Sequence, residues 1–365
     1  MSFHIESIGT AVPGVKIDQT EALEIARALC ARTEEQETWL PLMYSGTSIE
    51  SRHMVHSQAL IDDILNGTET SNSPYLPTGK EDDAGPPTSV RLQIYADEVR
   101  ALVPQAAQVA FEQSSIQPEE ITHLVTVSCT GFMAPGVDLT LMQELSLRPT
   151  VERTHVGFMG CHGALNGLRV ARAFLEADQQ ARALIVAVEL CSLHYHYGWN
   201  PQQVIANALF ADGAAAVVAS ASEEEGWRLV ANGSCLIPDS AHAMTWTIGD
   251  HGFTMTLSKK VPELIAQHLR PWMESWLAEN DCSLSEVASW AIHPGGPRIL
   301  EAAAEALELP EEKLVTSRSV FREHGNMSSP TILFILNQLR EQNAPRPAVA
   351  LGFGPGLVAE AALFR

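Results

Sequence analysis

At the centre of the sequence stands Val156-Gly157-Phe158-Met159-Gly160-Cys161-His162-Gly163-Ala164. A short apolar run ends in glycine, and Cys161 follows at once. The next residues place Leu165, Leu168 and Ala171 on one helical face. The pattern predicts a strand-to-helix turn with Cys161 near the positive end of a helix, where the thiolate form is favoured and the sulfur becomes a nucleophile. A cysteine buried as a small hydrophobic residue is the alternative interpretation.

The composition is that of a globular protein, since 45% of the 365 residues are hydrophobic. The chain is long enough for one large core or two ordinary ones. Its net charge of −21 argues against a nucleic-acid or anionic-membrane partner. No apolar run approaches the length of a membrane span, and the first residues lack the basic and apolar regions of a signal peptide. We therefore expect a cytoplasmic protein.

The cysteine pattern argues against a metal or disulfide framework. Six cysteines are widely spaced, and none forms a C-x-x-C pair. His194-Tyr195-His196 is the one histidine cluster that suggests a metal, but no carboxylate or cysteine follows it at ligand spacing. We therefore expect no metal site.

Strand and helix patterns alternate along most of the chain. A helical pattern covers residues 18–43, with Asp18 as a plausible N-cap, and residues 66–90 have the composition of an exposed loop. From residue 121 onwards buried strands alternate with helices. The predicted strands cover 121–129, 154–159, 183–189 and 213–220, and the predicted helices cover 137–147 and 161–177. This alternation predicts an α/β fold with mostly parallel sheets covered on both sides.

The second part of the chain repeats this order without repeating the sequence. Asn326 and Ser328 open a helix about as far into the second unit as Cys161 does in the first. We therefore predict two duplicated α/β halves, residues 1–222 carrying Cys161 and residues 223–365 carrying His293 and Asn326. The two helix starts would then face one site across a pseudo-two-fold axis.

Three motifs combine a reactive side chain with glycines. They are Met159-Gly160-Cys161-His162-Gly163, Ile292-His293-Pro294-Gly295-Gly296-Pro297 and His324-Gly325-Asn326-Met327-Ser328-Ser329. A cysteine, a histidine and an asparagine at the ends of elements fit nucleophilic catalysis. Cys161 would carry an acyl group, and His293 would raise its thiolate fraction. His293 and Asn326 could together donate hydrogen bonds to a carbonyl oxygen. Taken singly, His293 could be a strand-end histidine with a satisfied ring, and Asn326 a helix N-cap.

These motifs resemble the type III polyketide synthases, the chalcone synthase family of the thiolase superfamily. The family's catalytic cysteine, histidine and asparagine match Cys161, His293 and Asn326. Its C-terminal loop is present as Gly352-Phe353-Gly354-Pro355-Gly356, and Phe210 matches a gatekeeper phenylalanine. The resemblance implies a thiolase-like fold with a layered αβαβα core.

The resemblance also implies a chemistry. A starter acyl-CoA would load onto Cys161, and malonyl-CoA would lose CO₂ to give an enolate that attacks the thioester. Repeated extension and cyclisation would give a small pyrone or phenolic product. Acyl-CoA and malonyl-CoA would be the substrates, no cofactor would be needed, and the protein would be a homodimer.

The same comparison assigns residues to the substrate cavity and to CoA. Met255 stands where a second gatekeeper phenylalanine is usual, and Trp246 stands where a cavity glycine is usual, so an indole should remove much of the volume. The other expected cavity residues are Cys129, Cys191, His194, Ser328, Gly354 and Pro355. Arg52 and Arg298 are the expected CoA contacts.

Three other functions remain open from the sequence. The first is a β-ketoacyl synthase III-like enzyme that performs one condensation on an acyl carrier protein. The second is a hydrolase that uses cysteine, histidine and asparagine. The third is a degenerate scaffold subunit without activity.

Overall fold

The computed structural model describes residues 2–80, 82–222 and 225–365. The strands are β1 (Ser2–Ala11), β2 (Val15–Asp18), β3 (Ser51–Met54), β4 (His123–Ser128), β5 (Glu152–Gly157), β6 (Arg182–Leu190), β7 (Asp212–Ser222), β8 (Arg228–Leu236), β9 (Met244–Gly249), β10 (Gly252–Leu257), β11 (Ser289–Ile292), β12 (Ala348–Gly354) and β13 (Val358–Phe364). The helices are α1 (Gln19–Cys30), α2 (Glu34–Ser45), α3 (Gln58–Asn66), α4 (Thr88–Glu112), α5 (Val137–Glu144), α6 (Gly163–Ala177), α7 (Pro201–Leu209), α8 (Val261–Ala278), α9 (Pro297–Leu307), α10 (Val315–His324) and α11 (Pro330–Glu341).

The main sheet runs in the order β11-β12-β13-β8-β1-β7-β6-β4-β5. Outward from the central pair β1–β8, the strand order β7-β6-β4 on one side matches β13-β12-β11 on the other. The pairing directions match as well, because β6–β7 and β12–β13 are antiparallel while β4–β6 and β11–β12 are parallel. This repeated topology confirms the predicted α/β fold.

The predicted predominance of parallel pairs is wrong. Antiparallel pairs outnumber parallel ones, because β7 and β13 each run against both of their neighbours. A strand that is buried on both faces is apolar throughout in either direction, so the pattern of residues 213–220 gave no sign of its orientation.

The helices form layers around the two halves of the sheet. The central layer consists of α6 and α11, which share one apolar core with strands of both halves. The outer face of the first half is covered by α4, and that of the second half by α8 and α9. The order of layers is the αβαβα arrangement of the thiolase-like fold. Among the helices of the described residues, none combines the length and the apolar character that a membrane crossing requires.

Two segments before β4 refine the sequence predictions. Residues 18–43 form two helices instead of one, because Thr33 accepts a hydrogen bond from the Gln36 amide and caps a new helix. Asp18 caps α1, as predicted. The loop expected at 66–90 joins α3 to α4, and Asp63 holds its start by accepting from Thr68, Thr70 and Ser71. The predicted boundary between residues 222 and 223 adjoins residues 223–224, which lie outside the described residues.

Candidate active site

Cys161 lies in a single 3₁₀ turn, Gly160–His162, between β5 and α6. The turn requires glycine at 160, where φ is +72° and a Cβ would come within 2.4 Å of the Pro355 Cδ atom. The C-terminal Gly-Phe-Gly-Pro-Gly loop therefore packs directly on the nucleophile turn. The predicted strand-to-helix position of Cys161 is the observed one.

The surroundings of Cys161 favour its thiol over its thiolate. Burial raises the pKa of the thiol to about 11, and the negative charge of Glu189 adds to the rise. Hydrogen bonds from the Ser328 hydroxyl and the Asn326 amide oppose it. The direction of this shift is opposite to the one expected from the helix end, so formation of the thiolate requires a base.

Asn326 lies in the loop between α10 and α11, fixed to the end of α7. Its backbone amide donates to the Leu209 carbonyl, and its carbonyl accepts from the Ala211 amide, both at 2.9 Å. The side-chain Oδ1 accepts from the Ser328 amide at 2.8 Å, and Nδ2 donates one hydrogen to the Gly295 carbonyl at 3.4 Å. Because α11 begins only at Pro330, Asn326 is not its N-cap. The side chain is therefore held at both ends, and the second hydrogen of its NH₂ group remains available to a ligand.

His293 follows β11 directly and is 1% exposed. Its backbone amide donates to the Leu351 carbonyl at 2.8 Å. Neither ring nitrogen has a hydrogen-bond partner among the described residues. Burial lowers the pKa of the imidazole to about 3, so the ring is neutral. The alternative of a histidine with a satisfied ring is therefore wrong, and an unpartnered buried imidazole is poised for a ligand.

A small cavity of about 30 Å³ opens beside Cys161. That volume holds only one or two water molecules. Its lining includes eight of the predicted site residues, Cys161, Cys129, Cys191, Phe210, Trp246, Met255, Ser328 and Pro355. The structure thus brings most of the expected cavity residues to one place.

Trp246 forms one wall of this cavity. It lies on the β9–β10 hairpin directly across from Met255, and its Nε1 donates to the Cys129 carbonyl at 2.8 Å. A second cavity of about 30 Å³ lies behind it, lined mostly by apolar side chains but also by Arg52 of β3 and by Gln203 and Asn207 of α7. Cys191, Phe210 and Trp246 line both cavities. The indole therefore separates the cysteine cavity from an inner apolar space.

Two predicted cavity residues lie elsewhere. His194 lines the inner space and not the cysteine cavity, because its Nε2 donates to the Thr130 carbonyl at 2.6 Å while its Nδ1 accepts from the Phe253 amide at 3.1 Å. Gly354 is buried against the ring of His162 and is absent from the cavity lining. His194 is thus a support for Trp246 and Phe253, and Gly354 makes room for His162.

The two predicted CoA contacts differ from each other. Arg52 is 1% exposed, and its guanidinium donates to the carbonyls of Asn207, Ala208 and Phe210 at the C-terminal end of α7. The prediction that Arg52 contacts CoA is therefore wrong, because its donors are committed inside the protein. Arg298 is exposed in the first turn of α9, close to the glycines that follow His293.

Glu189 and His162 are site residues that the sequence analysis missed. Glu189 is fully buried and accepts from the Cys129 amide and from the hydroxyls of Thr130 and Ser329. It thereby ties β4 and the start of α11 together around the cysteine cavity. The sequence signal for Glu189 was a carboxylate inside an otherwise apolar strand, since such a residue must find buried partners. Across the described residues, no cluster of histidine, cysteine and acidic side chains is suited to a metal ion.

Two α/β halves of matching topology, with a cysteine at a helix start in one half, define a thiolase-like protein. Family models for the N-terminal and C-terminal domains of chalcone and stilbene synthases match residues 3–223 and 228–365. The chain belongs to the chalcone and stilbene synthase family, and it is a type III polyketide synthase.

Individual relatives agree with this assignment. The chain is 30% identical to 1,3,6,8-tetrahydroxynaphthalene synthase of Streptomyces griseus, over 97% of this chain and 90% of the relative. It is 29% identical to the alpha-pyrone synthesis polyketide synthase-like Pks18 of Mycobacterium tuberculosis, over 99% and 90%. The crystal structure of PKS-I from the brown alga Ectocarpus siliculosus superposes with a TM-score of 0.92 at 32% identity, covering 100% of this chain and 98% of that one. These similarities favour the polyketide synthase over the β-ketoacyl synthase III-like alternative and the hydrolase.

Proposed function

We propose that Cys161 carries the growing chain, that His293 and Asn326 form its catalytic partners, and that the product is a small pyrone or phenol. Cys161 attacks the starter acyl-CoA and holds the acyl group as a thioester. The Asn326 amide and the His293 ring then donate to the carbonyl oxygen of malonyl-CoA as CO₂ leaves and an enolate forms. The enolate attacks the thioester, and the cycle repeats before ring closure. The single observation that carries this proposal is the fixed position of Asn326, which the Ser328 amide and the Gly295 carbonyl hold in place while one amide hydrogen stays available beside Cys161.

The size of the cavity supports a short starter. A space of about 30 Å³ beside Cys161 leaves little room for a bulky aromatic starter while Trp246 is in place. Phe210 and Met255 narrow the same space. The proposal is therefore a short acyl starter, and its extension to a triketide or tetraketide requires the cavity lining to move apart when substrate binds.

Arg298 is the proposed contact for the phosphates of CoA. It is exposed at the start of α9, where the helix dipole adds to its positive charge.

We place the division between the two halves after residue 222. We also propose that the protein acts in the cytoplasm as a homodimer, with no nucleic acid as a partner. Exposed apolar side chains beside β5, at the open edge of the sheet, support the dimer, with Phe132 43% and Met159 38% exposed.

The test is mass spectrometry of the products from purified protein, malonyl-CoA and starters from acetyl to long-chain acyl and aromatic. We expect triketide or tetraketide products from short starters. Cys161→Ala should abolish chain growth but retain malonyl-CoA decarboxylation, because the enolate-stabilising pair is intact. His293→Ala and Asn326→Ala should lose both activities. If no starter acylates Cys161 and no CoA is released, the proposal fails.

A further inference from the structure

His162 is a second buried histidine at the active site, and the mechanism above does not use it. It follows Cys161 directly and is 2% exposed. A Cβ on Gly354 would come within 2.3 Å of the His162 ring, and a Cβ on Gly352 within 3.4 Å of its Cβ atom. The two glycines at the end of β12 therefore leave the space that the His162 imidazole fills.

The register of the sheet places His293 beside the same space. β11 and β12 are parallel, with Ile292 opposite Leu351, and the His293 amide continues the ladder to the Leu351 carbonyl. His293 thus stands opposite Gly352, and side chains at opposite positions of a parallel pair point to the same face. That is the face on which His162 packs, so the two imidazoles share one buried region.

Hydrogen bonding fixes which nitrogen His162 presents there. Its Nδ1 lies 2.8 Å from the Asn166 Oδ1 atom, which only accepts, so Nδ1 carries the proton. The remaining nitrogen, Nε2, is a lone-pair acceptor. It is buried without a partner among the described residues, and so are both ring nitrogens of His293. The His162 Nε2 atom can therefore accept a hydrogen bond from the His293 ring when that ring gains a proton during the reaction.

We propose that His162 is a positioning residue for His293 and accepts a ring N–H of His293 when that ring carries the proton of Cys161. This inference rests on the proposed function. In the loading step the proton leaves the Cys161 sulfur for the free nitrogen of His293. The thiolate attacks the thioester carbonyl, the bond from the acyl carbon to the CoA sulfur breaks, and the proton passes from His293 to that sulfur. His162 gains and loses no proton.

The electrostatic surroundings of the pair explain why such a partner is needed. Burial disfavours both the Cys161 thiolate and the His293 imidazolium, so proton transfer between them is opposed at both ends. A positive charge on His162 would lower the pKa of His293 further, so His162 can assist only as the neutral ring. An acceptor for the second N–H stabilises the imidazolium, as the third member of a catalytic triad does. Burial lowers the pKa of His162, which keeps its ring neutral and its Nε2 able to accept. Arg169 on α6 lowers the same pKa, and the carboxylate of Glu360 on β13 raises it.

The experiment compares the wild-type protein with His162→Phe and His162→Gln. Phenylalanine keeps the packing on Gly352 and Gly354 but has no acceptor, whereas glutamine retains an oxygen acceptor. The rate of Cys161 acylation by a short acyl-CoA is followed by intact-protein mass spectrometry in single-turnover mixtures that a pH jump brings to values between 3 and 9, a range that reaches the pKa of His293 at about 3. The melting temperature of each variant is recorded.

We expect His162→Phe to slow acylation about 10- to 100-fold, the loss of one hydrogen bond to a charged group. The acid limb of the pH–rate profile of His162→Phe should also move to lower pH, because the His293 imidazolium loses its acceptor and the pKa of that ring falls. His162→Gln should recover part of the rate. Asn166→Leu, which leaves the ring in place but frees its tautomer, should shift the limb in the same direction by less.

Three results would overturn the inference. The first is a His162→Phe protein with the acylation rate and pH profile of the wild type. The second is a His162→Phe protein whose acylation rate falls only in proportion to its folded fraction. The third applies if His162→Phe does not fold, and it is an Asn166→Leu protein with unchanged acylation kinetics. If the wild-type protein itself is never acylated, the proposed function fails instead.

Discussion

Trp246 limits the size of the cavity beside Cys161. Its indole is held by the hydrogen bond to the Cys129 carbonyl and by edge contacts with the rings of His194 and Phe253. It is therefore fixed on two sides. The space in front of it and the space behind it are separate only because this ring stands between them.

Replacing Trp246 by glycine should join the two cavities and admit longer acyl starters or longer chains. The measurement is the product mass distribution over the graded starter panel. Trp246→Phe is the matched control, because it keeps an aromatic wall while it loses the N–H donor and the second ring of the indole, so its products should change in length far less than those of Trp246→Gly. Identical starter range and product length in Trp246→Gly would show that the indole does not limit the chain.

At the scale of elements, the C-terminal end of α7 depends on a buried cation. Arg52 from β3 donates to three carbonyls there, and a positive charge at a helix C-terminus is favourable. The next residue after α7 is Phe210, which lines the cysteine cavity. Arg52, which the sequence analysis predicted to contact CoA, therefore supports the cavity wall instead.

Arg52→Met should lower the free energy of unfolding by about 2–5 kcal/mol, because it leaves buried carbonyls without donors. The KM for acyl-CoA in the folded fraction should change little. Denaturant unfolding and initial-rate kinetics test both parts.

Arg298→Met is the matched comparison. It should leave the free energy of unfolding within about 0.5 kcal/mol, as is usual at exposed positions, and should raise the KM for acyl-CoA. A stable Arg52→Met protein with a raised KM would reverse the two assignments.

At the scale of the whole molecule, buried histidines make the fold sensitive to acid. Burial lowers the pKa of His56 and of His194 to about 4 and that of His293 to about 3. The unfolded chain binds these protons near pH 6.5 and the folded chain only at lower pH, so stability is lost as the pH falls from 6.5 towards 4. Asp212 acts in the opposite sense, because burial raises its pKa to about 6 and its contribution is lost as the pH rises through that value.

His56→Gln should flatten the acid side of the stability profile. His56 lies outside the cysteine cavity and donates to the Ser192 carbonyl at 3.2 Å, a bond that a glutamine amide can replace. The variant should recover at most about 3 kcal/mol at pH 4 relative to pH 7, compared with the wild-type protein. Urea unfolding at both pH values measures it. Parallel profiles for the two proteins would mean that His56 does not contribute to acid unfolding.

The sequence was informative where one residue decides the local chemistry. The change from a strand to a helical pattern around Cys161 and the glycines beside it were sufficient to predict the turn, and the motif set was sufficient to predict the family. The burial of Arg52 was not predictable, because its carbonyl partners lie far along the chain. The direction of β7 was not predictable either, because its apolar residues fit both orientations.

The central strand β8 has a consequence for synthesis on the ribosome. All strands of the first half, β5-β4-β6-β7-β1, are present in the nascent chain before β8 is made, and β8 follows β7 after a few residues. The other edge of β8 pairs with β13, the last strand in the order. Until β13 arrives, that edge has no neighbour, and an unpaired edge can pair with a second nascent chain. We expect chaperone dependence during expression to be concentrated between translation of β8 and translation of β13.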